Sequence, residues 1–261
     1  MVLAAWIDYP AAPLAFWRLV LGAIVYLIIA AAISQPVDMA AIKISALGGA
    51  AFGLNLMTGY FALRSTTVAN ATIISSLQPA IVALVAVRLF GERLNAKAII
   101  AIAAAFSGIV LVVLGASSSG DWSLTGDLIA LMSSFLWSGY FLATKRARQK
   151  LDVWRYQAAL LITAAAVASP FLLFDDAGFD VPPWHVIGWA LVLVAGPGTG
   201  HALINWAQGH LHVTTTSTLT LLIPPLATLA AFLFLGQGLR AVQVLGMLVV
   251  LVSIGAFIRL R

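Results

Sequence analysis

Residues 67–95 read TVANATIISSLQPAIVALVAVRLFGERLN, and residues 212–240 read HVTTTSTLTLLIPPLATLAAFLFLGQGLR. Sliding the chain on itself by about 145 residues aligns the two stretches. Thr67-Val68-Ala69-Asn70-Ala71-Thr72 lies over His212-Val213-Thr214-Thr215-Thr216-Ser217. Leu77-Gln78-Pro79 lies over Leu222-Ile223-Pro224, and Gly91-Glu92-Arg93-Leu94 over Gly236-Gln237-Gly238-Leu239. One segment earlier, Gly53 lies over Gly198 and Ala62 over Ala207. Both stretches are apolar runs without the alternation of a strand, and each is long enough to cross about 30 Å of hydrocarbon as a helix.

Composition carries that reading to the whole chain. Of its 261 residues 62% are hydrophobic and 9% charged, with a mean hydropathy of +1.04. A soluble domain carries about 25% charged residues, so most of this surface must face lipid. A membrane β-barrel would show alternating segments of about ten residues instead. The net charge of +5 and pI near 9.9 do not indicate nucleic acid, because the basic residues gather in short loops between apolar runs. Without cysteine, disulfides and thiolate metal sites are excluded. Met1 to Ala12 hold no basic residue and do not read as a signal peptide.

The fold class is an all-α membrane protein with nine transmembrane helices, at roughly 13–33, 44–63, 67–90, 97–115, 124–145, 155–174, 184–207, 212–235 and 240–258. Arg88, Arg93 and Lys97 follow the third span. Lys145, Arg146, Arg148, Lys150 and Arg155 follow the fifth, and Arg259 and Arg261 the ninth. These loops share one side, which the Lys/Arg bias makes cytoplasmic. The opposite loops carry Asp121, Asp127, Asp175, Asp176 and Asp180, with Arg64 and Arg240 as isolated exceptions. The C-terminus is then expected inside, in the cell (inner) membrane of a multi-pass protein.

Matching spans are five apart, and an odd offset inverts the second copy across the membrane. The expected organisation is residues 1–116 as a first repeat of four helices and residues 124–261 as a second of five. Inverted repeats of this kind are common in secondary transporters, which bind substrate near the midplane where the repeats meet.

Several motifs in a fixed order resemble one known family. Pro13-Leu14-Ala15-Phe16-Trp17-Arg18 opens a helix, and Tyr60-Phe61-Ala62-Leu63 ends the next. Ala69-Asn70-Ala71-Thr72-Ile73-Ile74-Ser75-Ser76-Leu77-Gln78-Pro79 leads to Phe90-Gly91-Glu92-Arg93-Leu94, and Gly126-Asp127-Leu128 opens the fifth span. Asn205-Trp206-Ala207, Leu222-Ile223-Pro224-Pro225 and Leu235-Gly236-Gln237 follow. Over nearly the whole chain this pattern resembles the EamA family of the drug/metabolite transporter superfamily. The resemblance implies ten helices in two inverted five-helix repeats and both termini cytoplasmic. Met1–Ala12 resembles the loop after the first of those helices, so the first repeat is expected to lack it here. It also implies a small-molecule solute, with export of amino acids or related metabolites as the expected activity.

Polar groups in lipid are costly and face the bundle interior. They fall in five clusters: Asn55, Thr58 and Tyr60; Ser75, Ser76 and Gln78; Ser133, Ser134, Trp137, Ser138 and Tyr140; His201, Asn205, Trp206 and Gln208; Thr216, Ser217 and Thr220. Candidate substrate-binding residues are Asn55, Tyr60, Ser75, Gln78, Trp137, Tyr140, His201, Asn205, Trp206 and Thr216. Ser and Thr also satisfy backbone groups or admit close helix packing, while buried Asn, Gln and His are costlier to leave without a role. Trp137 and Tyr140 can stack on a planar solute or anchor at the interface. Pro79, Pro197 and Pro224 are candidate hinges, and Gly196-Pro197-Gly198-Thr199-Gly200 is expected to break the seventh span. Arg18 lies about one and a half turns inside its span, where it either snorkels or attracts an anionic group. No Asp or Glu stands in mid-membrane, which leaves His201 as the candidate for proton coupling.

A membrane enzyme would need paired acids, a metal cluster or a nucleophile beside its base. His185, His201, His210 and His212 are scattered and no such set occurs. Neither enzymatic activity nor a metal or cofactor is expected. A non-transporting scaffold is the alternative, but it would carry a large polar domain or a long partner-binding loop. The partners expected are a small solute and the lipid bilayer, not nucleic acid. No pattern in the sequence specifies an oligomeric state.

Overall fold

The computed structural model describes residues 9–116, 122–175, 177–236 and 238–260. Asp121, Asp176, Gln237 and Arg261, used in the charge and repeat readings, and most of the N-terminal loop lie outside those residues. Among the described residues twelve α-helices follow in chain order: α1 (Ala11–Ala32), α2 (Met39–Ser65), α3 (Val68–Ser75), α4 (Gln78–Phe90), α5 (Ala96–Gly115) and α6 (Leu124–Ala147), then α7 (Val153–Ala168), α8 (Trp184–Leu193), α9 (Thr199–Gln208), α10 (Val213–Leu219), α11 (Ile223–Leu235) and α12 (Ala241–Arg259). Among the described residues there is no strand, and nine helical stretches are long and apolar enough to cross a membrane. Three of these join short helices: α3 with α4, α8 with α9, and α10 with α11.

Side chains set where the helices begin. Asp38 accepts the Ala41 N–H at 2.8 Å, and α2 starts ahead of the expected position near 44, with exposed Lys43 in its first turns. That N–H also holds the exposed Asp38 carboxyl below its ordinary range. Asp152 accepts from Trp154 at 2.7 Å and Arg155 at 3.3 Å, starting α7 at Val153 rather than near 155. Thr67 caps α3 and Asn95 caps α5, each filling an orphan donor of the first turn.

The proline-marked stretches share a local build. Pro79 sits in the first turn of α4, and Pro224 in that of α11. Proline has no N–H to give the carbonyl four residues back. The chain tightens accordingly, with Leu77 N–H bonding Ile74 O at 3.1 Å and a 3₁₀ turn at Thr220–Leu222. Both following helices end on a glycine at φ +64°, Gly91 and Gly236, a left-handed cap that a side chain would strain. Pro197 behaves differently. The seventh span does not break there; it widens into one π turn, Val194–Gly198, and continues as α9. A wider turn accommodates the missing donor without interrupting the helix.

The chain divides into two compact units, Met1–Tyr60 with Gly139–Leu211, and Phe61–Ser138 with His212–Arg261. In the first, Leu14 of α1 packs on Val186, Ala190 and Leu193 of α8. Glycines let α2 approach α7 closely: a Cβ on Gly49 would lie 1.7 Å from Thr163 Oγ1, and one on Gly53 2.5 Å from the Ala164 carbonyl oxygen. This is the small-xxx-small spacing of membrane helix pairs. In the second unit α5 crosses α12 at Gly108 and Gly246, where a Cβ on either would reach the other's carbonyl oxygen, at 2.8 and 2.6 Å. Ala105, Ile109 and Val113 of α5 pack there with Val250, Ile254 and Leu221. Phe257 closes one end against Ala83, Ala98, Ala101 and Ile102.

Gly53→Ala drives a methyl against the α7 backbone and is expected to cost about 1–3 kcal/mol, read as a lower melting temperature of the purified protein in detergent. Gly188→Ala enters open space and leaves that temperature unchanged or slightly higher.

Candidate functional site

In the first unit a chain of amides and hydroxyls runs through α6, α7 and α9. The Tyr140 hydroxyl donates to Asn205 Oδ1 at 2.6 Å. Asn205 Nδ2 donates to Gln157 Oε1 at 2.7 Å. Thr144 and Tyr156 pair through their hydroxyls at 2.6 Å. Tyr140, Tyr156, Gln157 and Asn205 are no more than 1% exposed, a depth at which a polar group needs a partner. Arg148 Nε binds the Asn205 carbonyl at 3.0 Å, and its guanidinium also meets Leu151 O. Lys145 Nζ meets the Gln208 and Leu211 carbonyls at 2.8 and 2.7 Å. Two cations thus answer the free carbonyls at the C-terminal end of α9. Burial lowers the Arg148 pKa from its ordinary value, against the opposing charge of Asp152.

Next to this network lies a cavity of about 20 Å³, room for roughly one water, within the first unit. Arg18, Gln157 and His201 form its polar wall. Leu19, Tyr26, Phe52, Leu161 and Val194 form the apolar wall, with Gly22 and Gly198 completing it. Phe52 packs against both Tyr140 and His201, with ring centroids 4.9 and 5.2 Å apart. Val194 and Gly198 are the two ends of the π turn, so Pro197 shapes one side of this space.

The second unit holds its polar groups around the proline steps. Thr220 Oγ1, which donates to the Ser217 carbonyl at 2.6 Å, lies 3.3 Å from Gln78 Oε1, placing the step before α11 beside the step before α4. Gln78 is 2% exposed, and its Nε2 has no hydrogen-bond partner. Ser134 of α6 donates to the Ile74 carbonyl at 2.9 Å, just ahead of the turn that Pro79 imposes. Glu92, of the Phe90-Gly91-Glu92-Arg93-Leu94 motif, is buried. Its carboxylate accepts the Val213 N–H at 2.7 Å and that of Thr214 at 3.4 Å, so the turn after α4 caps α10. Asp127 accepts from Thr66 at 2.7 Å, Asn70 at 3.2 Å and Trp122 at 3.0 Å.

Of the residues expected to bind substrate, Tyr140, His201 and Asn205 come together in the first unit. Asn55 is buried one turn beyond Phe52, and Tyr60 is half-buried. Trp206 is half exposed and tilts against His210 at 4.6 Å, away from the cavity lining. In the second unit Gln78 is buried, Trp137 half-buried and Ser75 exposed. The Thr216 hydroxyl bonds its own helix at the Val213 carbonyl, 3.0 Å away. Gln157, Phe52 and Tyr26 were not anticipated. Gln157 met the same criterion as Gln78, a glutamine in a span, at the third residue of the expected sixth span.

Tyr140→Phe leaves Asn205 Oδ1 without this donor, and Asn205→Ala strands both Tyr140 and Gln157. Each is expected to cost about 1–3 kcal/mol. A double-mutant cycle on thermal unfolding should give a cost for the pair well below the sum of the single costs, by about 1 kcal/mol.

The model of the EamA-like transporter family matches this chain twice, at residues 2–114 and 124–259. An "uncharacterized transporter" of Archaeoglobus fulgidus is 28% identical over 211 residues, covering 80% of this chain and 74% of that protein. A protein solved by crystallography aligns with a TM-score of 0.78 over 97% of this chain and 90% of its own, at 20% identity, a likeness of fold alone. This chain, a multi-pass helical membrane protein, belongs to the EamA-like transporter family.

Proposed function

We propose that the protein is a secondary transporter that exports a small metabolite, an amino acid or similar solute, across the cytoplasmic membrane by alternating access. Family membership supports transport, and the observation that carries the polar solute is the buried network of Tyr140, Asn205 and Gln157 beside the Arg18–His201 cavity. An outward direction rests on the family resemblance, and the cytoplasmic C-terminus on the basic loops around Arg93 and Arg148.

The working unit is a pair of inverted repeats, residues 1–116 and 124–261. Three features support the pairing: the twofold family match, the shared build around Pro79 and Pro224, and the reciprocal crossing of Gly108 with Gly246. Pro79, Pro197 and Pro224 serve as the points where helices bend during the cycle. His201, in the cavity wall, is the group through which protons couple to transport.

Efflux and uptake of labelled amino acids in proteoliposomes, with and without a pH gradient, test these statements. Saturable flux of at least one solute is expected, faster with the gradient imposed and insensitive to it in His201→Ala. Absence of flux for every solute removes the transport reading, and a gradient without effect on wild type removes the coupling role of His201.

A further inference from the structure

Arg18 stands within the first span, where an isolated charge is expensive. It lines the cavity of the first unit, and among the described residues it makes no ion pair. Beside it, Gln157 spends its Oε1 on Asn205 Nδ2, so the group it has left for a ligand is its Nε2 amide, a donor. No Asp or Glu contributes to the lining. The polar wall therefore offers a cation, an amide donor and the His201 imidazole, with no carboxylate to answer them. His201 completes the polar wall, and Phe52 and Leu161 stand on the apolar side.

We propose that this cavity is the seat of a carboxylate: the solute carries a –COO⁻ group that docks on Arg18 and Gln157, with an apolar body against Phe52 and Leu161. This rests on the transport reading and gives it a substrate class. A guanidinium matches a carboxylate with two parallel hydrogen bonds, and the docked anion offsets the cost of burying the cation. As described, the space takes roughly one water, so the carboxylate enters as the wall yields. The π turn at Val194–Gly198 borders the cavity at both ends and contains Pro197, which has no N–H to give a helical carbonyl. A π turn inside an α-helix commonly marks such a functional position.

The test is thermal unfolding of the purified full chain with matched probes. These are leucine, leucinamide (carboxylate blocked), isoamylamine (carboxylate removed) and 4-methylpentanoate (amine removed), with phenylalanine, phenylalaninamide and phenethylamine as an aromatic set. Leucine or phenylalanine and the plain acid are expected to raise the melting temperature by about 5 °C near saturation, while amides and amines leave it unchanged. Arg18→Gln should abolish the shift, and Arg18→Lys should keep a reduced one. Amides or amines that stabilise as well as acids overturn the proposal, as does an Arg18→Gln protein that responds like wild type. A wild type that responds to no acid also overturns it. The wild-type comparison stands even if Arg18→Gln fails to fold. Acid-specific shifts without flux in proteoliposomes would leave the site and remove transport; flux of amines through an Arg18→Gln protein would do the reverse.

Discussion

A bilayer core supplies no hydrogen bonds, so a chain that crosses it must satisfy every backbone N–H and C=O from within. Continuous helices do this by default, and prolines are where the default fails. At Pro79, Pro197 and Pro224 the local structure answers this shortage in different ways. Before Pro79 the backbone tightens and Ser134 reaches the Ile74 carbonyl. Before Pro224 a 3₁₀ turn takes over, and Thr220 spends its hydroxyl on the Ser217 carbonyl at 2.6 Å. At Pro197 the helix widens into a π turn and keeps going.

The same shortage governs the helix ends. The start of α10 takes the Glu92 carboxylate, and the end of α9 takes Lys145 and Arg148. Charges that read as loop decoration are thus bonded to particular backbone groups. The Arg148 contact to the Asn205 carbonyl matters most, because the side chain of that same asparagine joins Tyr140 to Gln157. A basic residue at the end of a span is thereby tied to the buried polar centre of its unit.

Close packing rests on the absence of side chains. Lipid tails are as apolar as Leu, so helices associate through fit and not through hydrophobic exclusion. Gly49 and Gly53 against α7, and Gly108 against Gly246, bring backbones within reach of one another. That proximity holds α2 and α7 at the spacing that seats Phe52 beside the cavity in the first unit.

Span number, helical class and family were legible in the residues alone, because each depends on local quantities: apolar run length, Lys/Arg bias, and the spacing of Pro and Gly. The matching glycines, Gly91 and Gly236, were legible as repeat positions, and the structure gives both the φ of +64° that glycine permits. Tyr140, His201 and Asn205 were picked out by the cost of burying them. Tertiary structure alone decided which of them meet, and added Gln157, Phe52 and the ring of groups around Arg18. Those contacts join residues from Arg18 to Asn205 in the chain, and no local pattern encodes which faces of separate helices turn together. The same holds for Glu92: its motif was readable, but its partner lies 121 residues on. The fate of Pro197 was also not local. Whether a missing donor breaks a helix or only widens it depends on what packs around the turn.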